Sequence, residues 1–104
     1  MAVYVMNSPV ITNFGVFEFR KATPDEAREL LKGGFVSAVG HEASAHLLSK
    51  ILGIEIPYNR VAIRMQKGDV AVVLWLLQRL PEGKILSDEE ISKIQYELGI
   101  LKML

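Results

Sequence analysis

With 104 residues, half of them apolar, the chain has material for one small core, within the range of about 50–250 residues usual for a single domain. Its twelve Lys and Arg balance its twelve Asp and Glu, which argues against a binder of long nucleic acid, because such proteins use an excess of cations to displace counterions. Cysteine is absent, so disulfides, thiolate metal sites and a cysteine nucleophile are excluded.

Taken in order, "VYVM" (Val3–Met6) predicts a short buried strand, and "GVFEFR" (Gly15–Arg20) alternates as a half-buried one. Between them "NSPVITN" is a polar, turn-forming loop. "TPDEARELLKGG" then spells a helix: Thr23 as N-cap, Pro24 at the first helical position, Glu26 closing a capping box, and Gly33–Gly34 at its end. "FVSAV" follows as an extended segment. From His41 to Leu52 a second helix is expected, with Ala43, Leu47, Leu48, Ile51 and Leu52 inward and Gly53 beyond its end.

"RVAIRM" (Arg60–Met65) alternates again, "KGD" reads as a turn, and "VAVVLWLL" (Val70–Leu77) is an unbroken apolar run suited to a central strand covered on both faces. If the turn is a hairpin, these two strands are antiparallel neighbours. After the loop "LPEGK", "SDEEISKIQYEL" predicts a third helix, with Ser87 as N-cap and Glu90 as its capping-box partner. Strands and helices mingle, so the expected fold is α/β: a mixed sheet of about five strands flanked by helices, in one domain spanning residues 1–104. A core this small gains from subunit association. No run reaches the roughly 18–20 apolar residues of a membrane span, and the first residues lack the basic region of a signal peptide. The expectation is a soluble cytoplasmic protein with no membrane partner.

Few places could carry chemistry. His41 follows Gly40 where the second helix begins. The first amides of a helix lack internal partners and sit at its positive pole, so phosphate is favoured there. A histidine beside phosphate can hold or deliver a proton near neutral pH; the plainer alternative is a surface histidine at a helix start. His46 lies off the apolar face and is read as solvated. Gln78 and Arg79 follow the central strand directly, where ligands of sheet-based folds gather. There Arg79 could stabilise charge on a phosphorane and Glu82 could orient it; solvated charges at a strand end are the alternative. Asn7, Ser8, Thr12 and Asn13 could bind a sugar hydroxyl or a base edge, or simply form a turn. Tyr58 and Arg60 add an aromatic and a second arginine. His41 and Glu42 are adjacent and point apart on a helix, so no metal site and no cofactor is expected.

The order "VYVMNSPVITN", "SAVGHEAS", "NRVAI", "GD", "QRLPEGKILSDEEI" resembles the viral ring nucleases, a family of type III anti-CRISPR proteins, over nearly the whole chain. The resemblance implies a metal-independent homodimer that cleaves cyclic tetra-adenylate to linear products with 2′,3′-cyclic phosphate ends, and so silences type III CRISPR signalling in the host cytoplasm. On that likeness His41 corresponds to the general acid, Arg79 to the transition-state arginine and Glu82 to the family's glutamate. Asn7, Ser8, Asn13, Gly40, Ser44, Arg60 and Gln78 correspond to substrate contacts. The chain departs from some members at Val10, where they carry serine, and at Trp75, where they carry a polar residue. Two other classes compete: a dimer that binds a nucleotide or nucleic acid without cleaving it, and a viral structural or host-interaction protein.

Overall fold

A computed structural model describes residues 1–11, 13–78 and 87–104. The elements run β1 (Val3–Met6), β2 (Phe17–Ala22), α1 (Pro24–Leu31), β3 (Val36–Ala38), α2 (Glu42–Leu52), β4 (Val70–Leu76), α3 (Asp88–Ser92) and β5 (Tyr96–Met103). The strands form one five-stranded sheet in the order β2-β5-β4-β1-β3. β1 lies parallel to both β3 and β4, whereas β5 lies antiparallel to β4 and to β2. The sheet is mixed, as the sequence implied.

α1 and α3 start where side chains satisfy the first amides. Thr23 Oγ1 accepts from the Glu26 amide at 3.2 Å, and Glu26 Oε1 accepts from the Thr23 amide at 3.2 Å. The same reciprocal pair forms between Ser87 and Glu90 at the head of α3. Arg20 pairs with the Glu26 carboxylate at 2.9 Å. That guanidinium, with the Thr23 amide, holds the Glu26 carboxyl below its ordinary value. Gly53 closes α2 at φ 64°, a left-handed conformation that suits glycine, and its N–H donates to the Ser49 carbonyl.

The main core lies on one face of the sheet. Val5, Val72, Leu74 and Leu98 pack there against Ala27 and Leu31 of α1 and Ala43, Leu47, Leu48 and Leu52 of α2, with Ile91 and Ile94 at its edge. A second cluster occupies the opposite face, where Met65 and Ile63 cover Met6, Ala71, Val73 and Leu101.

Two expectations fail. Arg60–Met65 is no strand, and the antiparallel neighbour of β4 is β5, not this segment. The alternation was real, because Met65 is buried and Ile63 half-buried while Arg64 is exposed. What is missing is the ladder: the Asn13 amide stands in for a strand neighbour. Its Oδ1 accepts from the Met65 N–H at 3.0 Å and its Nδ2 donates to the Met65 carbonyl at 3.0 Å. The third helix also stops early, at Ser92, and Tyr96–Met103 is a strand. Pairing on both edges supplies β5 with hydrogen bonds that a short capped helix could not match.

Asp69, buried in the "KGD" turn, ties the sheet together at the start of β4. Its carboxylate accepts from the Ala2 amide at 2.9 Å and from the Gln66 amide at 2.8 Å. These two bonds, the Ala2 one first, hold the carboxyl below its ordinary value of 3.8. A depressed folded value means that the stabilisation is complete above about pH 5 and is lost as pH falls through the ordinary value toward the folded one. Asp69→Asn should cost about 1–3 kcal/mol in denaturant unfolding at neutral pH. It should also flatten the loss of stability between about pH 5 and 2. An acid profile identical to that of the unsubstituted chain would assign the acid sensitivity to other carboxylates.

Candidate functional site

Parallel pairing brings the carboxyl ends of β3, β1 and β4 to one edge of the sheet, because Met6 pairs with both Ala38 and Val73. A cleft of about 290 Å³ opens there, lined by Met6, Asn7 and Ser8 from the end of β1, by Ala38, and by Val61, Ala62 and Ile63. The chain that leaves β1 and the chain that leaves β3 meet at this edge. Asn7 Oδ1 accepts from the Gly40 N–H at 3.2 Å.

The segment after α2 is fixed along the outer side of β3. Ser37 Oγ donates to the Pro57 carbonyl at 2.6 Å, the Asn59 amide donates to the Ser37 carbonyl at 2.7 Å, and Asn59 N–H donates to the Val39 carbonyl at 2.8 Å. Arg60 is thereby laid against Gly40. A Cβ at position 40 would stand 3.1 Å from Arg60 Cγ, so the Arg60 side chain lies close over the Gly40 backbone and would have to shift slightly for any larger residue. Arg60 is exposed, and the next residue, Val61, lines the cleft.

His41 is the N-cap of α2, one position earlier than the first-turn site expected. Its backbone is extended, at φ −141° and ψ 121°, and its side chain makes no capping bond. The amides of the first turn are therefore left to a ligand or solvent. The ring is half-buried, and Nδ1 lies 3.5 Å from the hydroxyl of Ser44, which is itself buried. A hydroxyl that engages Nδ1 leaves Nε2 as the nitrogen available to another partner.

Asn7, Ser8, Gly40, His41, Ser44 and Arg60 thus come together. Gln78 belongs to the same sheet edge, exposed just beyond β4, with its Oε1 accepting from the Gln95 N–H at 3.1 Å. Asn13 does not join them. Its amide is committed to Met65 and lies 3.9 Å from Met103 Sδ, toward the other end of β4. Thr12, Arg79 and Glu82 lie outside the described residues. His46 is half-buried rather than fully solvated. Among the described residues no three His, Asp or Glu side chains gather in a metal-binding group. Sequence reasoning missed Ser37 and Asn59, which aim Arg60; the available signal was the pairing of Pro57 and Asn59 about Tyr58, residue types common in turns.

A family model described as STIV B116-like matches residues 3–98, and the chain belongs to that family. It is 35% identical over 107 residues to YddF of Bacillus subtilis (strain 168), covering 100% of this chain and 99% of that protein. Against protein 26 of Sulfolobus islandicus filamentous virus the identity is 36%, over 97% of this chain and 91% of the viral one. The fold is similar to that of B116 of Sulfolobus turreted icosahedral virus, with a TM-score of 0.80 and 26% identity, covering 98% and 99% of the two chains. The relatives of this chain thus include a bacterial protein as well as viral ones. Among the described residues no helix is long and apolar enough to cross a membrane.

The Asn7–Gly40 contact is the joint between the two loops of the site. Asn7→Ala should cost about 1 kcal/mol of stability. Hydrogen exchange at the Gly40 amide should then rise by roughly fivefold or more, with far smaller changes at the amides of β5. Unchanged exchange at Gly40 would show that the loop after β3 holds its shape without Asn7.

Proposed function

We propose that this member of the STIV B116-like family is a metal-independent ring nuclease that acts on cyclic tetra-adenylate, and that it blocks type III CRISPR signalling as a homodimer in the host cytoplasm. The observation that carries this reading is His41 at the uncapped head of α2, with Ser44 behind its ring and Gly40, Asn7 and Arg60 around it. Helix amides and an arginine hold a phosphate; a histidine there supplies a proton.

The family likeness implies the reaction, and this arrangement supplies groups that suit it. A ribose 2′-hydroxyl, losing its proton to solvent, attacks the adjacent phosphorus in line, the P–O2′ bond forms, and the P–O5′ bond breaks. The products carry a 2′,3′-cyclic phosphate at one end and a 5′-hydroxyl at the other. Nε2 of His41 gives its proton to the departing 5′ oxygen. Arg60 and the α2 amides neutralise the phosphate, and holding attack in line supplies the rest of the acceleration. On the family likeness, Arg79 stabilises the phosphorane and Glu82 corresponds to the family's glutamate, placed to orient it, while Gln78 and Ser8 are substrate contacts. A two-fold dimer suits a cyclic tetranucleotide because symmetry-related sites meet equivalent phosphates. Tyr58 and Val61, exposed by 49% and 46%, would be covered by such a partner.

One variant separates cleavage from mere sequestration. His41→Ala should slow single-turnover cleavage by at least about a hundredfold, with affinity and melting temperature little changed. A sponge would bind the ring equally well before and after the substitution and release no linear product from either. Cleavage by the unsubstituted chain should persist in excess EDTA, and loss on chelation with rescue by manganese or magnesium would overturn the metal-free mechanism. Light scattering should give twice the 11.6 kDa chain mass; a monomer in the presence of ligand would sink the dimer.

A further inference from the structure

The sheet face opposite the helices carries an aromatic pair that the core does not use. Phe19 of β2 and Trp75 of β4 stack with ring centroids 5.9 Å apart and planes 20° from parallel. They are not on adjacent strands, because β5 runs between them. The contact exists because β5 has Gly99 at that point. A Cβ there would come within 2.4 Å of the Phe19 ring, so only glycine lets the ring lie across the strand and reach the indole. The rings remain 39% and 46% exposed. A tryptophan braced in this way yet left half in water is a preformed flat surface, and little entropy is lost when a ligand meets it.

Its position relates it to the cleft. Val73 pairs with Met6, which lines the cleft. Trp75 is two residues further toward the carboxyl end of β4 and points to the same face as Val73. Strand spacing and rise put its Cα about 8 Å from that of Met6, beside the turn that carries Asn7 and Ser8. Phe19 meets the indole from the β5 side, so the opposite side looks toward β1 and the cleft. The one carboxylate directly across from Trp75, Glu97, is paired with Lys21 at 3.1 Å, which offsets its repulsion of an anionic ligand.

The geometry points to Trp75 as a base-stacking platform, on which an adenine of the cyclic ligand rests while its phosphate lies at Gly40 and His41. This inference rests on the ring-nuclease reading and adds a specificity determinant to it. A planar purine offers a π-face of matching size, and stacking gains energy without hydrogen-bond readout.

Trp75 is the only tryptophan of the chain, so its fluorescence reports the contact directly. Binding of cyclic tetra-adenylate would be followed by calorimetry and by fluorescence in His41→Ala protein, where the ring is not consumed. The expected result is quenching that saturates with the calorimetric isotherm. Trp75→Leu should weaken binding by roughly 5- to 150-fold and Trp75→Phe should recover most of the loss, as a stacking contact requires. Phe19→Leu, which removes the brace and keeps the platform, should weaken binding less. Calorimetric binding with unchanged fluorescence, and equal affinity in Trp75→Leu, would overturn the stacking role and leave the nuclease reading standing. Absence of binding by the unsubstituted chain would overturn that reading and the platform with it.

Discussion

Pairing along both edges of β4 is the constraint from which the rest of the architecture follows. Val70 to Leu74 are buried on both faces, so this strand has no solvent to satisfy its backbone and must find a neighbour on each side. One neighbour, β1, runs parallel, and the other, β5, runs antiparallel. The parallel side aligns the carboxyl ends of β3, β1 and β4 and creates an edge where three chain exits converge. The antiparallel side carries β5 and, beyond it, β2, which brings Phe19 to the far side of Gly99. Asp69 sets the register of the whole by tying the chain before β1 to the turn before β4.

All helices of the main core lie on one face, and this asymmetry decides where a ligand can approach. The other face is covered only in part, by Ile63 and Met65 and by the loop that carries Asn13. That cover needs no ladder, because one side-chain amide satisfies both polar groups of Met65. The remaining width of the face is left to Trp75 and Phe19 and to the cleft beside them. A helix on each face would have buried the same strands and removed the site.

Much of this was legible in the residues. Capping boxes at Thr23 and Ser87 fix two helix starts by local hydrogen bonding alone, and such signals survive any tertiary context. Val3–Met6 and the run from Val70 read as buried strands because their apolar content admits little else. The segment from Tyr96 was not legible. Leu98 and Ile100 face the helices while Leu101 and Met103 face the other side, so β5 shows no alternation, and a run buried on both faces looks the same as a buried helix. Arg60–Met65 failed in the opposite way: it alternates as a strand does, but alternation reports which side chains are buried and not whether the backbone has a partner. At the site, Gly40, His41 and Arg60 stood out by residue type. Ser37 and Asn59 did not, because their part is to orient other residues through backbone contacts that no local pattern announces.

The spacing of His41 and Ser44 bears on how a neutral chain could hold the anion of the proposed function. A histidine one position inside α2 would have its backbone locked in the helix and its ring on the helix surface. As N-cap, His41 keeps an extended backbone, so its ring is swung clear of the helix while the first amides remain uncovered. A capping serine or aspartate in its place would accept a bond from those amides and compete with a phosphate for them. Ser44, one turn further on and buried, reaches back to Nδ1 and fixes the ring. In the proposed function, attraction for an anion would come from unpaired amides, the helix dipole and Arg60, none of which requires an excess of basic residues. Twelve cations balanced by twelve anions leave long polyanions without a field to follow, while the proposed cyclic ligand would need only a few donors gathered at one point.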